Sequence, residues 1–236
     1  PIDLKEISRY CKQKKIFIIE DCAEALGSKY YNKPVGTTFC DSSTFSFFGN
    51  KTITTGEGGM VLFKSKKTSE RARILRDHGM NPTKKYWHDV IGYNFRLTNV
   101  QAAIGVAQIE RLDEIVSKKI NIGESYSDLL KDHKIAEQTP KRYKDIQNSY
   151  WIFSFLLNKK FNREKVMKEL LELGVETRPV FYPLHTMPPY KHFMKSSSLE
   201  NSINISKQGL SLPSSPSLSD FNIKYIIYCL DKISMN

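Results

Sequence analysis

The sequence predicts an α/β fold, and three observations predict it. The run Ile16-Phe17-Ile18-Ile19 is too short for a helix and too uniformly apolar for a half-exposed strand, so it reads as a buried parallel strand. Segments of helical period stand on both sides of such strands along the chain. A glycine-rich turn, Gly56-Glu57-Gly58-Gly59, separates two further strand-like runs at 44–47 and 60–63.

Taken in order, Leu4, Ile7, Tyr10 and Cys11 recur at helical spacing and predict an amphipathic helix over 3–14. The strand 16–19 follows, and Asp21 falls at its carboxyl end, where open α/β sheets place their ligands. After the strands 44–47 and 60–63 comes a helix over 69–77, stopped near Gly79 and Pro82. Thr98 is a good N-cap for one long helix running to about Leu130. Its apolar positions Val100, Ala103, Ile104, Ala107, Ile109, Leu112 and Ile115 predict burial along much of its length. The polar stretch 132–147 marks a boundary. Beyond it a smaller α+β unit is expected: a strand over 150–157, a helix from Asn162 to about Leu173, a strand over 177–182, a loop at 214–219 and a last helix from Asp220. No internal repeat is present.

With 236 residues the chain can bury a sizeable core. A hydrophobic content of 40% and 26% charged residues fit a soluble globular protein. No run approaches the roughly 20 apolar residues that a membrane-spanning helix needs. The N-terminus is not signal-like. Cys11, Cys22, Cys40 and Cys229 follow neither a metal-binding nor a secreted-disulfide spacing, so reduced thiols in a cytoplasmic protein are expected. The histidines lack metal-ligand spacing, and no metal is expected. The net charge of +11 raises the question of nucleic acid. The lysines are spread out, however, and the clusters at 12–15 and 64–67 are short and carry no interleaved aromatics, so solvated helix ends and loops are the reading. The glycine turn is no dinucleotide fingerprint, because Val61 stands where the third glycine should be. It is no P-loop either, since no Gly-Lys-Ser/Thr follows.

The chemistry concentrates in Thr44-Phe45-Ser46-Phe47-Phe48-Gly49-Asn50-Lys51-Thr52-Ile53-Thr54-Thr55-Gly56-Glu57-Gly58-Gly59. A lysine between an aromatic strand and a glycine turn is a poor core residue and an odd surface one. With a carboxylate, Asp21, at a second strand end, it suggests pyridoxal phosphate (PLP) chemistry. The lysine would form a Schiff base with the cofactor and the carboxylate would pair with its ring nitrogen.

Ile18-Ile19-Glu20-Asp21-Cys22-Ala23-Glu24-Ala25-Leu26-Gly27, the Lys51 segment, and Gly92-Tyr93-Asn94-Phe95-Arg96-Leu97-Thr98-Asn99-Val100-Gln101-Ala102-Ala103 resemble the DegT-type sugar aminotransferases. These are fold-type-I, aspartate-aminotransferase-like, PLP-dependent enzymes that aminate nucleotide-linked keto-sugars. The likeness runs through the whole chain in the right order. It implies that Lys51 holds PLP and moves protons. A lysine there, where some relatives carry histidine and deoxygenate, implies aminotransfer. It further implies that Asp21 keeps the pyridine nitrogen protonated and that the Ser46 hydroxyl binds the cofactor phosphate. Glu24 stands where many relatives have a glutamine near the phenolic oxygen. Asn94 matches an asparagine that reaches the neighbouring subunit's phosphate site, which implies a homodimer with shared active sites; a plain loop residue is the alternative. His88, Arg178 and His185 are candidate substrate contacts, with a surface ion pair the alternative for Arg178.

The resemblance also implies a partial large PLP-binding domain over 1–131 and a small C-terminal domain over 132–236. Because the sequence opens at Pro1 on a helix, the N-terminal part of the family's large domain is expected to be missing, leaving an uncovered sheet edge. The implied substrates are L-glutamate and a nucleotide-linked 4-keto-6-deoxy-sugar, GDP-4-keto-6-deoxymannose first and a UDP-linked 4-keto sugar next, feeding surface glycans such as O-antigen. The rival reading is a truncated, catalytically incompetent fragment that acts only as an interaction partner.

Overall fold

The computed structural model describes residues 1–193 and 199–235. They divide into two compact units, Pro1–Ser117 with Tyr143–Trp151, and Lys118–Arg142 with Ile152–Asn236. The boundary expected at 131/132 lies inside the 118–142 segment of the second unit.

In the first unit, α1 (Leu4–Lys14) begins where the Asp3 carboxylate accepts from the Glu6 amide at 3.1 Å, and it ends at Lys15 in a left-handed conformation. The strands β1 (Ile19–Asp21), β2 (Lys29–Tyr30), β3 (Lys33–Pro34), β4 (Ser42–Ser46) and β5 (Gly59–Phe63) follow. β6 (Ala136–Gln138) belongs to the second unit, and β7 (Ile146–Gln147) returns to the first. One sheet has the order β1-β4-β5, with β1 parallel to β4 and β5 antiparallel to it; the other has the order β3-β2-β7. Leu4, Cys22, Tyr30 and Val35 form the buried cluster between them, with Phe45 and Ile146 packed against it.

The expected strand at 16–19 is displaced toward Asp21 and is not buried. The Ile18 amide is taken by the Asp41 side chain at 2.8 Å, and the paired segment starts at Ile19. Ile19 is 64% exposed, because β1 has a described neighbour on its β4 side only. Glu20 points the other way, into the core. Its Oε2 accepts from the Gly36 amide at 2.6 Å and from the Cys22 thiol at 3.7 Å. Gly36 has φ +77°, and a Cβ there would press on the Phe45 ring and the Cys22 sulfur.

α2 (Lys66–Arg76) is capped by Ser65. The long helix expected from Thr98 is two helices, α3 (Asn99–Ile109) and α4 (Leu112–Leu130). The Arg111 amide bonds back only three residues, to Gln108, which tightens the turn and redirects the chain without any Gly or Pro to announce it. Thr98 does cap, in a full capping box with Gln101. The expected burial of this segment fails for α3, none of whose residues is buried. Its apolar residues lie round the helix, while Gln101, Gly105 and Gln108 face the Lys51 loop.

In the second unit the sheet order is β6-β8-β10-β9, with β8 (Phe153–Leu157), β9 (Arg178–Pro179) and β10 (Gly209–Leu212), all antiparallel. α5 (Arg163–Glu172), capped by Asn162, α6 (Glu200–Gln208) and α7 (Asp220–Met235) complete it. β8 alternates buried Phe153, Phe155 and Leu157 with half-exposed neighbours, and α7 buries Ile223, Ile226, Cys229, Leu230 and Ile233 at helical spacing. The strand expected from residue 150 starts only at 153, because Tyr150 adopts a left-handed φ of 48°. The strand expected over 177–182 shrinks to two residues. Pro179, Pro183, Pro188 and Pro189 remove ladder donors, and 3₁₀ turns follow at Leu184–Thr186 and Pro188–Phe193.

Candidate active site

Asp21 and Lys51 reach one locality because β1 and β4 run parallel. The register sets Asp21 opposite Thr44, whose hydroxyl donates to Asp21 Oδ1 at 3.2 Å; the Ala23 amide donates to the same oxygen at 3.1 Å. Two residues beyond Thr44, on the same face of β4, is Ser46, whose Oγ accepts from the Phe48 amide at 3.3 Å. The chain then turns, the Lys51 amide donating to the Phe48 carbonyl at 3.0 Å, and Lys51 stands with its side chain only 12% exposed. Its Nζ lies 3.6 Å from Glu24 Oε1 and 3.9 Å from the centroid of the Trp151 ring. Asp21, Glu24, Ser46 and Lys51 are thus brought together by one strand pair and the turns at its end.

The loop that carries Lys51 is held from both sides. Phe47 pairs with Gly58 and Thr55 through backbone hydrogen bonds of 2.9 Å each. From α3, the Gln108 side-chain amide both donates to the Thr54 carbonyl at 2.6 Å and accepts from the Thr54 amide at 3.1 Å, imitating a strand partner. Gln101 donates to the Glu57 carbonyl at 3.0 Å. The buried thiols Cys22 and Cys40 are held in their protonated form: burial, reinforced by Glu20, pushes Cys22 up to about 12 and Cys40 up to about 11.

Asn94 sits in the loop after α2, bridged to Asp77, beside an Arg96–Asp77 ion pair of 3.3 Å. It is exposed. His88, in the same loop, is exposed and places Nδ1 2.9 Å from the His78 carbonyl. Gly79 and Gly92 meet backbone to backbone where this loop closes, so neither tolerates a side chain. Arg178 and His185 belong to the second unit. Arg178 is exposed on β9, opposite Ser211; the His185 Nε2 is enclosed and has no partner among the described residues.

Thr44, Trp151, Gln101 and Gln108 shape the site without having been singled out by the sequence. Thr44 had a signal, two residues before Ser46 on one strand face. Trp151 had none, lying a hundred residues from Lys51 in the chain.

The profile of the DegT/DnrJ/EryC1/StrS aminotransferase family matches residues 1–231. The chain belongs to that family. A GDP-perosamine synthase of Escherichia coli O157:H7 is 46% identical over 96% of the chain and 60% of its own length. One of Vibrio cholerae is 42% identical over 97% of the chain and 62% of its own length. Among solved structures, the Helicobacter pylori aminotransferase PseC, involved in the biosynthesis of pseudaminic acid, superposes with a TM-score of 0.92 at 25% identity, over 100% of the chain and 64% of its own. The chain thus spans about 60% of the length of the relatives it matches. Family and neighbours give the same fold, that of the fold-type-I sugar aminotransferases, as the motifs implied.

Proposed function

We propose that the protein is a PLP-dependent aminotransferase that converts a nucleotide-linked 4-keto-6-deoxy-sugar, GDP-4-keto-6-deoxymannose, to its 4-amino derivative with L-glutamate as donor. One observation carries this reading. A largely enclosed amine, Lys51, sits 3.6 Å from Glu24, three residues after the carboxylate Asp21 that Thr44 holds at the end of β1.

The donor set suits the cofactor. Asp21 Oδ1 is occupied by Thr44 and Ala23 while Oδ2 accepts from no described residue, which leaves an acceptor for a ring N–H. Ser46 Oγ accepts from Phe48, and its own proton has no acceptor among the described residues, which leaves a donor for a phosphate oxygen. Lys51 supplies the amine, and Glu24 holds that amine when it carries a proton. When bound, PLP supplies an aldehyde carbon for the amine and a ring that withdraws electrons from the substrate carbon. Lys51 would then move the proton between that carbon and the former aldehyde carbon of the cofactor, and Asp21 would keep the ring nitrogen protonated. The net change exchanges the amino group of L-glutamate for the keto oxygen at C4 of the sugar, the donor leaving as 2-oxoglutarate.

The name GDP-perosamine synthase carried by the two relatives favours a GDP-linked sugar. Arg178 suits a diphosphate or the donor carboxylate, and His88 and His185 complete the proposed substrate contacts. Asn94 would serve the neighbouring subunit of a homodimer; exposed Ile91 and Phe95 on the same loop support an interface there. A cytoplasmic enzyme of surface glycan synthesis is the setting. Among the described residues no helix is long and apolar enough to cross a membrane.

The test is the near-visible absorption spectrum with PLP, before and after L-glutamate, beside Lys51→Ala. A band that needs Lys51 and bleaches with glutamate is expected. A Lys51→Ala variant that still transaminates ends this assignment.

A further inference from the structure

Trp151 touches the reactive lysine, and nothing in the reading above gives it a task. Its ring centroid is 3.9 Å from Lys51 Nζ, and its Nε1–H donates to the Asn50 carbonyl at 2.6 Å. The ring is therefore fixed to the backbone of the residue just before the lysine it faces. The chain around Trp151 is fixed as well. Ser149 is fully buried, its amide donates to Ser28 Oγ at 3.1 Å, and the two serine hydroxyls bond at 3.0 Å. The Asn148 side chain accepts from the Tyr150 amide at 2.9 Å, closing a left-handed turn that presents residue 151 to the lysine.

We propose that Trp151 is a positioning residue for the Lys51 amine, holding it near the reacting centre whenever it is not covalently engaged. A free lysine side chain spreads over many rotamers, and an amine that wanders is poorly placed to form its C=N bond to an aldehyde, whose oxygen leaves as water, or to carry a proton between two carbons. Glu24 alone holds it poorly, since its side chain is 56% exposed and an exposed ion pair is weak. An indole face attracts the cation more strongly than any other ring and has no basic site with which to compete for the proton. The carboxylate supplies charge and the ring supplies place. The inference rests on the reading of Lys51 as the amine that engages PLP.

The experiment measures how fast PLP is captured by the cofactor-free intact protein, followed by the near-visible band, for wild type, Trp151→Phe, Trp151→Leu and Lys51→Ala. Trp151→Leu is expected to capture about ten-fold more slowly, the range that loss of a cation–π contact allows, with Trp151→Phe recovering most of the rate. A second readout needs no cofactor. Trp87 and Trp151 are the only two tryptophans, so in a Trp87→Phe background the emission reports Trp151. Lys51→Met should change that emission and Lys51→Arg should largely preserve it.

A Lys51-dependent band formed at the wild-type rate in Trp151→Leu overturns the proposal. So does a folded Trp151→Phe that captures as slowly as the leucine variant, or an emission indifferent to Lys51→Met. If wild type forms no Lys51-dependent band, the functional reading itself fails and the positioning role goes with it.

Discussion

The Thr44 hydroxyl donates to Asp21 Oδ1 at 3.2 Å, directly across the parallel pairing of β1 and β4. The bond orients the carboxylate so that its second oxygen remains free to accept. Thr44→Val keeps the shape and the strand preference but removes the donor. Loss of about 1 kcal/mol, roughly five-fold in PLP affinity, is expected, with Thr44→Ser close to wild type. A spectral titration with PLP checks it; equal affinity in all three would show that Asp21 is oriented by other groups.

Gln108 gives Thr54 both of its backbone partners. Gln108→Ala leaves a part-buried amide and carbonyl unmatched and should cost about 2 kcal/mol of stability. Because the loss falls on the Lys51 loop, PLP capture should slow as well. Thermal melting and capture rate are read on the same sample, and an unchanged melting temperature would contradict the prediction.

Lys119 is buried on α4 and donates to the Ser214 carbonyl at 2.8 Å; burial lowers its pKa from 10.5 to about 8. The unfolded chain therefore binds this proton more tightly than the folded one. Stability from this group is lowest below pH 8 and rises as pH passes from about 8 toward 10.5. Lys119→Met removes a penalty on the order of 3 kcal/mol, less the cost of the lost hydrogen bond, so the variant should melt higher than wild type at pH 7. The gap should narrow by pH 10. Melting curves at both values decide it, and a gap that widens with pH would mean that the folded chain holds this proton the more tightly.

Gly92 faces Gly79 where the loop carrying His88 and Asn94 closes, and a Cβ at 92 would strike backbone atoms that cannot step aside. Gly92→Ala should destabilise by about 2 kcal/mol and open the loop. Limited proteolysis between residues 80 and 95, compared with wild type, measures the opening.

The parts of the site that were legible in the sequence are local ones. Asp21 announces itself by following an apolar run, and Lys51 by standing between an aromatic strand and a glycine turn. Thr98 and Asn162 announced their helices because a cap is a contact over three residues. The break at 110–111 was invisible, since the hydrophobic period runs across it and no breaker marks it. The exposure of Ile19 and of the apolar residues of α3 was also hidden. Periodicity tells which side chains prefer to be covered, not whether a cover is at hand. Trp151 was out of reach because its meeting with Lys51 depends on the whole course of the chain between them.

Glu20 and Asp21 are neighbours with opposite destinations, one bound to the Gly36 amide inside, the other facing the site. Were β1 to slide along β4 by a single residue, the two acids would trade places: the longer would be offered to the cofactor, the shorter would fall short of Gly36. The inner bond therefore works as an index pin. It fixes which of two chemically similar carboxylates the chain presents, before any ligand has arrived to choose.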